Sequence, residues 1–139
     1  MKLFILSLAV AIGVASTATA DRVNIGHSVF DNRCAICHGL NGKGGGEFAE
    51  TLTVKPADLT VLQKNNGGVF PFQRVYNFID GSETVAAHGT RDMPIWGRAF
   101  TKEAAESLAG AGLSPDDAAD IARGRILALI EYISTLQAK

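Results

Sequence analysis

Five consecutive residues, Cys34-Ala35-Ile36-Cys37-His38, carry the chemistry of this chain. Two thiols three positions apart, followed at once by an imidazole, have the spacing of covalent haem attachment. The thiols add to the vinyl groups of one porphyrin and become thioethers. The adjoining imidazole is then held under the iron as its proximal ligand. One turn of chain presents both sulfurs to one edge of the macrocycle. Cys34 and Cys37 are the only cysteines, so one such site consumes both. A bare C-x-x-C also serves thioredoxin-like redox sites and zinc knuckles. A structural zinc needs four ligands, usually from two such pairs, and a second pair is missing. A thioredoxin-like dithiol belongs near a βαβ pattern, and no alternation of strand and helix is evident. A surface disulfide beside an incidental histidine is the plainest alternative.

A histidine-ligated iron leaves one axial position to explain. Met93 is the only methionine besides Met1, and it lies in Arg91-Asp92-Met93-Pro94-Ile95-Trp96-Gly97. A thioether is a neutral, soft donor that favours Fe(II) and raises the reduction potential. Pro94 and Gly97 suit a loop that carries the sulfur to the distal face, and Pro94 biases Met93 toward an extended backbone. The competing reading is a gap-filling core methionine, which a polar loop does not favour. His88 is the rival ligand, five residues earlier, and two imidazoles would give a lower-potential centre. His27 precedes Cys34 by seven residues on the first helix, where an ordinary surface or partly packed histidine is expected.

Export and charge bound the setting of this site. Lys2 supplies a short positive start, Leu3 to about Val14 an apolar core, and Ala18-Thr19-Ala20 a small-residue cleavage site. The expected division is therefore a secretory signal over residues 1–20 and one domain over 21–139. The apolar run, about a dozen residues, falls short of the roughly 20 that span a bilayer, and no second stretch is long enough. A retained N-terminal anchor is the alternative. Haem attachment of this kind is completed outside the cytoplasmic membrane, which agrees with a periplasmic location. Lys2 is the only charge in the signal, so the remaining chain holds 12 basic and 14 acidic side chains. That mild acidity excludes a nucleic-acid partner, which requires a basic face.

The elements that must position these residues read as helices joined by Gly- and Pro-rich loops. Val23 to about Ala35 is predicted helical, with Ile25, Val29 and Phe30 on or near one face. Leu40–Glu47 is a glycine-rich loop without the Gly-Lys-Ser/Thr ending of a phosphate cradle. Asp58 is placed to cap a short helix to about Asn65, ended by Gly67 and Gly68. Pro71 opens another through Phe72, Val75, Tyr76 and Ile79, which Gly81 stops. A short helix is expected over Thr101–Ala109. The last begins at Ser114-Pro115 with Asp117 in capping position, its apolar face running through Ile121, Leu129, Ile133 and Leu136.

Together these residues resemble a class I cytochrome c of the bacterial periplasmic monohaem kind, over nearly all of residues 22–137. The resemblance is carried by Gly26 and Phe30 before Cys34-x-x-Cys37-His38-Gly39. It continues through Lys55-Pro56-Ala57-Asp58-Leu59-Thr60, Asn66-Gly67-Gly68-Val69-Phe70-Pro71, Met93-Pro94-Ile95-Trp96-Gly97 and Leu129-Ile130-Glu131-Tyr132-Ile133. It implies an all-α cytochrome c fold whose N- and C-terminal helices cross beside the haem, with Gly26 and Phe30 against Leu129 and Tyr132. It further implies one haem c joined through Cys34 and Cys37, with His38 and Met93 as iron ligands. The Pro56 carbonyl is expected to accept the second N–H of His38, with an ordinary turn proline as the other reading. Leu59, Phe70, Tyr76, Ile95 and Trp96 are candidate pocket walls. Trp96, Arg74, Arg91 or Arg98 is a candidate propionate partner. The acidic balance departs from lysine-rich members of the family, so their docking surface and oxidase partner do not carry over.

The function expected is a diffusible one-electron carrier, not an enzyme, cycling Fe(III)/Fe(II) between redox proteins that dock at the exposed haem edge. With both axial positions filled, neither substrate nor oxygen reaches the metal. The alternative is a haem subunit or dedicated acceptor of a periplasmic dehydrogenase, for example a sulfite dehydrogenase. A third reading, an enzyme or gas sensor with an open iron, has only His88 with Arg91 as a distal pair. The oligomeric state stays open.

Overall fold

The computed structural model describes residues 13–82, 93–112 and 114–138, the side chains of residues 13–19 excepted. Among the described residues five α-helices carry the fold: α1 (Gly13–Arg33), α2 (Ala35–His38), α3 (Phe72–Asp80), α4 (Trp96–Ser107) and α5 (Pro115–Thr135). Among the described residues there is no strand, and the chain is all-α. Three 3₁₀ turns, Ala49–Thr51, Leu59–Val61 and Lys64–Asn66, stand between α2 and α3.

Helix α5 is the centre of the packing and touches α1, α3 and α4. Its buried residues are Ala118, Ala122, Ile126, Ala128, Leu129, Ile130 and Ile133. Most of these fall on steps of three and four, one continuous helical stripe. The expected face included Leu129 and Ile133 correctly, but Ile121 and Leu136 are only half-buried. Alanine gives little hydropathy signal, yet Ala118 and Ala122 lie in the interior because α5 must lie close to α4, whose own buried residues are Gly97, Phe100 and Ala104.

The first and last helices cross as expected. A methyl group at Gly26 would overlap the Ala128 carbonyl oxygen and stand 2.9 Å from Tyr132 Cβ. Backbone therefore meets backbone at this point, and the crossing depends on the missing side chain. Phe30 and Leu129 are fully buried there, each stabilising the fold by about 2 kcal/mol. The Phe30 and Tyr132 rings lie 5.3 Å apart, tilted at 54°. Ile25, placed near the buried face by pattern, is instead exposed. Outside the core, Glu103 on α4 bridges Arg33 of α1 at 2.8 Å and Arg125 of α5 at 3.4 Å. These half-exposed pairs tie three helices but add little stability each.

Boundaries differ from the pattern in three places. Helix α1 is already formed at Gly13, the first described residue, and runs unbroken through residues 18–20, whereas most of the expected signal core lies outside the described residues. Helix α4 begins at Trp96, five residues before expectation, because Gly97 packs directly on Asp80 at the end of α3. The segment after Asp58 forms two 3₁₀ turns in place of one helix, although Asp58 does cap the first, its Oδ1 accepting from the Thr60 N–H at 2.8 Å.

The start of α5 agrees closely with the pattern. Ser114 Oγ accepts from the Asp117 N–H at 3.2 Å, and Asp117 Oδ2 accepts from the Ser114 N–H at 2.8 Å, a capping box. Ser114→Ala is expected to cost about 1 kcal/mol, read as a lower midpoint in urea. The bonds from Ser114 hold the Asp117 carboxyl below its ordinary 3.8, and those from Thr60 do the same for Asp58. A depressed carboxylate stabilises the fold above its ordinary value and loses that contribution as pH falls through the lower folded value. Acid unfolding should thus steepen below about pH 4, and Asp117→Asn should flatten that limb.

Candidate haem site

The C-x-x-C-H turn follows α1 with almost no break in its hydrogen bonding. The Cys34 N–H donates to the Phe30 carbonyl at 2.8 Å, and the His38 N–H to the Cys34 carbonyl at 2.8 Å. Both sulfurs therefore project from one helical turn anchored to the α1–α5 crossing. Cys34 and Cys37 are not joined to each other. Burial, then the neighbouring Cys37, pushes the Cys34 thiol up to about 12. A thioredoxin-like dithiol works through a lowered thiol, so the environment is the wrong one for that chemistry.

A four-residue helix ends with four orphan carbonyls, and the glycine-rich loop with its flanking residues Gly39 and Phe48 satisfies all of them. Ala35 accepts from the Gly39 N–H, Ile36 from Phe48, Cys37 from Gly46 and His38 from Gly44, at 2.7–3.0 Å. From sequence this stretch reads only as a connection. Its run of glycines is the available signal that the chain can turn tightly enough to fold back over the motif.

His38 Nδ1 lies 3.0 Å from the Ala57 carbonyl oxygen. A carbonyl only accepts, so Nδ1 holds the proton and the lone pair remains on Nε2. Burial lowers the basicity of His38 and the Ala57 bond partly offsets this, so the neutral imidazole, the form that ligates a metal, is favoured. The resemblance places the acceptor on Pro56. The Pro56 carbonyl instead turns onto Gly44, and the next peptide reaches the ring.

The segment that supplies this carbonyl is clasped from the far end of the chain. Gln137 Nε2 donates to the Leu59 carbonyl at 2.7 Å, and Gln137 Oε1 accepts from the Gln63 N–H at 2.9 Å. The Ala138 N–H donates to the Thr60 carbonyl at 2.7 Å. Gln137→Ala strands two half-buried backbone groups and is expected to cost about 2 kcal/mol, measured by urea denaturation.

Leu59, Leu62, Phe70, Val75, Tyr76, Met93 and Trp96 are half-buried and pack against the core cluster that contains Phe30, Cys34 and Ala35. Trp96, the first residue of α4, stacks on buried Phe100 at 5.6 Å. Met93 stands at the end of the α3–α4 connection, whose two ends are drawn together. Gly81 faces the Ile95 side chain, and Gly97 faces Asp80. Ile95, a candidate wall, is thus 40 % exposed over Gly81. His88 and Arg91 lie outside the described residues. Arg74 stands over the Phe78 ring at 5.7 Å. His27 stacks on Tyr132 at 4.7 Å and meets Asp31 at 3.3 Å, a surface histidine of the helix crossing.

These residues fit a covalently bound haem. Two unjoined thiols share one turn, an oriented imidazole follows them, and incompletely covered apolar side chains share their core. Among the described residues no group of three or more His, Cys, Asp or Glu donors could hold a metal by itself. A cleft of about 470 Å³ between the end of α4 and the start of α5 contains neither cysteine nor histidine.

A helical fold in which the C-x-x-C-H turn follows a first helix crossed by α5 defines a c-type cytochrome, whose haem c is covalently bound and transfers electrons. Residues 21–110 match the family model described as cytochrome c oxidase, cbb3-type, subunit III. That is well over half of the 139 residues, and the chain belongs to this family. Neither a curated protein nor a solved structure matches it. Helix α5 lies beyond the matched stretch, so its part in the fold rests on the packing described above.

Proposed function

We propose that this protein is a periplasmic one-electron carrier with a single haem c, joined through Cys34 and Cys37 and ligated by His38 and Met93. The observation that carries the reading is the His38 ring, its Nδ1 proton held by the Ala57 carbonyl and its other nitrogen left for iron. Bound there, the haem supplies a reversible Fe(III)/Fe(II) couple. The chain orients the proximal ligand, excludes water through the apolar shell around Leu59 and Trp96, and offers a face for partners. Ile36, Leu40 and Phe48 are large, apolar and exposed beside the motif, and the Phe48 N–H bonds to the Ile36 carbonyl at 2.8 Å. Such a small apolar patch suits brief docking of redox proteins near the haem edge. Among the described residues no helix is long and apolar enough to cross a membrane; release by signal cleavage near Ala20 rests on the sequence pattern of residues 1–20.

The test is the exported, purified protein. Colour that stays with the chain through acid-acetone extraction, one iron per chain, and a weak sulfur-to-ferric-iron charge-transfer band are the expected results. Extractable haem or bound zinc overturns the reading. A second reading, a haem subunit held in a larger redox enzyme, is favoured by the family's description as an oxidase subunit. The same reading covers a periplasmic dehydrogenase as the host. Size-exclusion chromatography of native extract separates the two, since co-elution with one large enzyme supports the subunit.

A further inference from the structure

Gly44 stands between the main chain of His38 and the peptide that holds its side chain. On one side the Gly44 N–H donates to the His38 carbonyl at 2.7 Å. On the other, a Cβ on Gly44 would overlap the Pro56 carbonyl oxygen and lie 3.5 Å from the Ala57 oxygen. That Ala57 oxygen is the acceptor of the His38 ring. The backbone at Gly44 is left-handed, with φ +84°, a conformation that also favours glycine. Two residues later the displaced chain has little slack, because the Leu59 N–H is fixed to the Gly42 carbonyl at 2.7 Å. The loop and the 56–59 segment therefore form a closed frame around the imidazole, and Gly44 sets its width.

We propose that Gly44 is a positioning residue for the iron ligand, its missing side chain setting the strength of the His38–Ala57 hydrogen bond. This rests on the reading of His38 as proximal ligand. A strong Nδ1–H···O bond gives the ring partial imidazolate character, which stabilises Fe(III) and lowers the potential. A methyl group on Gly44 pushes the Pro56–Ala57 peptide outward, lengthens the bond and weakens that donation.

The experiment compares Gly44→Ala with two controls by redox titration and proton NMR of the His38 ring N–H. Gly45→Ala meets open space, and Gly67→Ala takes the same left-handed strain (φ +67°) with nothing within 4 Å. Gly44→Ala is expected to raise the reduced-to-oxidised ratio at fixed poise about threefold to tenfold, about 30–60 mV for a one-electron couple. Its ring N–H should also exchange faster with solvent. Gly67→Ala should lower stability and leave the ratio unchanged, and Gly45→Ala should leave both unchanged. A Gly44→Ala protein with an unshifted ratio overturns the proposal, and Gly44 is then a turn residue only. Should Gly44→Ala fail to retain haem, Pro56→Ala reads the same contact from the other side by freeing the fixed φ. A smaller shift of the same sign supports the proposal and an unchanged ratio overturns it. Wild-type protein without covalent haem would overturn the underlying reading instead, so the two failures are distinguishable.

Discussion

Met93→Ala is expected to yield a reduced protein that binds carbon monoxide within seconds, where the unmodified protein does not. The oxidised variant should lack the sulfur-to-iron charge-transfer band. Its midpoint potential should fall on the order of 0.1–0.3 V, within the roughly 0.8 V that axial ligation spans. The direction follows from ligand chemistry, because a soft thioether stabilises Fe(II) and a water or open site does not. The substitution should spare the fold. Met93 is half-buried, and both ends of its connection are held by other residues, Gly81 against Ile95 and Gly97 against Asp80. Methionine-to-alanine at such a site costs stability modestly, so loss of ligation is readable apart from unfolding. Carbon monoxide binding by the unmodified protein at neutral pH would sink the assignment of Met93, and His88 would then be the next residue to replace.

What the sequence made legible was the chemistry that depends on residue type and local spacing. The C-x-x-C-H turn, the Ser114–Asp117 cap, the Asp58 cap and the Gly81 stop each require only neighbours along the chain. The crossing of Gly26 and Phe30 against Leu129 and Tyr132 came from resemblance, and the packing agrees with it. What stayed hidden depends on which peptide of a loop faces which group. Pro56 and Ala57 are adjacent and each offers a carbonyl, and nothing in their types says that Ala57 takes the imidazole while the Pro56 oxygen lies against Gly44. Gln137 gave no signal, since a polar residue near a helix end has no pattern, yet it bonds a segment 78 residues earlier. The glycine-rich stretch is a loop, as its composition implies, but its return onto the motif stayed hidden for a related reason. Composition announces that a loop bends but not that its N–H groups return to cap α2. Burial was underestimated in α5 because Ala118 and Ala122 look neutral by hydropathy while fitting a close helix contact.

Gly26→Ala is expected to destabilise the folded protein by about 3 kcal/mol, at the upper end of ordinary overpacking costs. In most helix interiors the same change stabilises, since alanine has the better helix propensity by about 1 kcal/mol. The reversal of sign is therefore diagnostic of the crossing. The atom in the way at Gly26 is a backbone oxygen, Ala128 O, which has no rotamer through which to retreat, so α1 and α5 must separate. Separation uncovers Phe30 and Leu129, both fully buried, and loosens the cluster that also contains Cys34. Gly124 supplies the counterpart, being in α5, exposed, and with nothing within 4 Å of an added Cβ. Gly124→Ala should stabilise by about 0.5–1 kcal/mol. Thermal unfolding of the two variants should then differ by about 10–24 °C, at roughly 3–6 °C per kcal/mol for a domain of this size. Equal midpoints would mean that the helices meet through side chains at Gly26. Because the motif hangs from the end of α1, Gly26→Ala should also lower the fraction of exported chain that holds haem, whereas Gly124→Ala should leave that fraction unchanged.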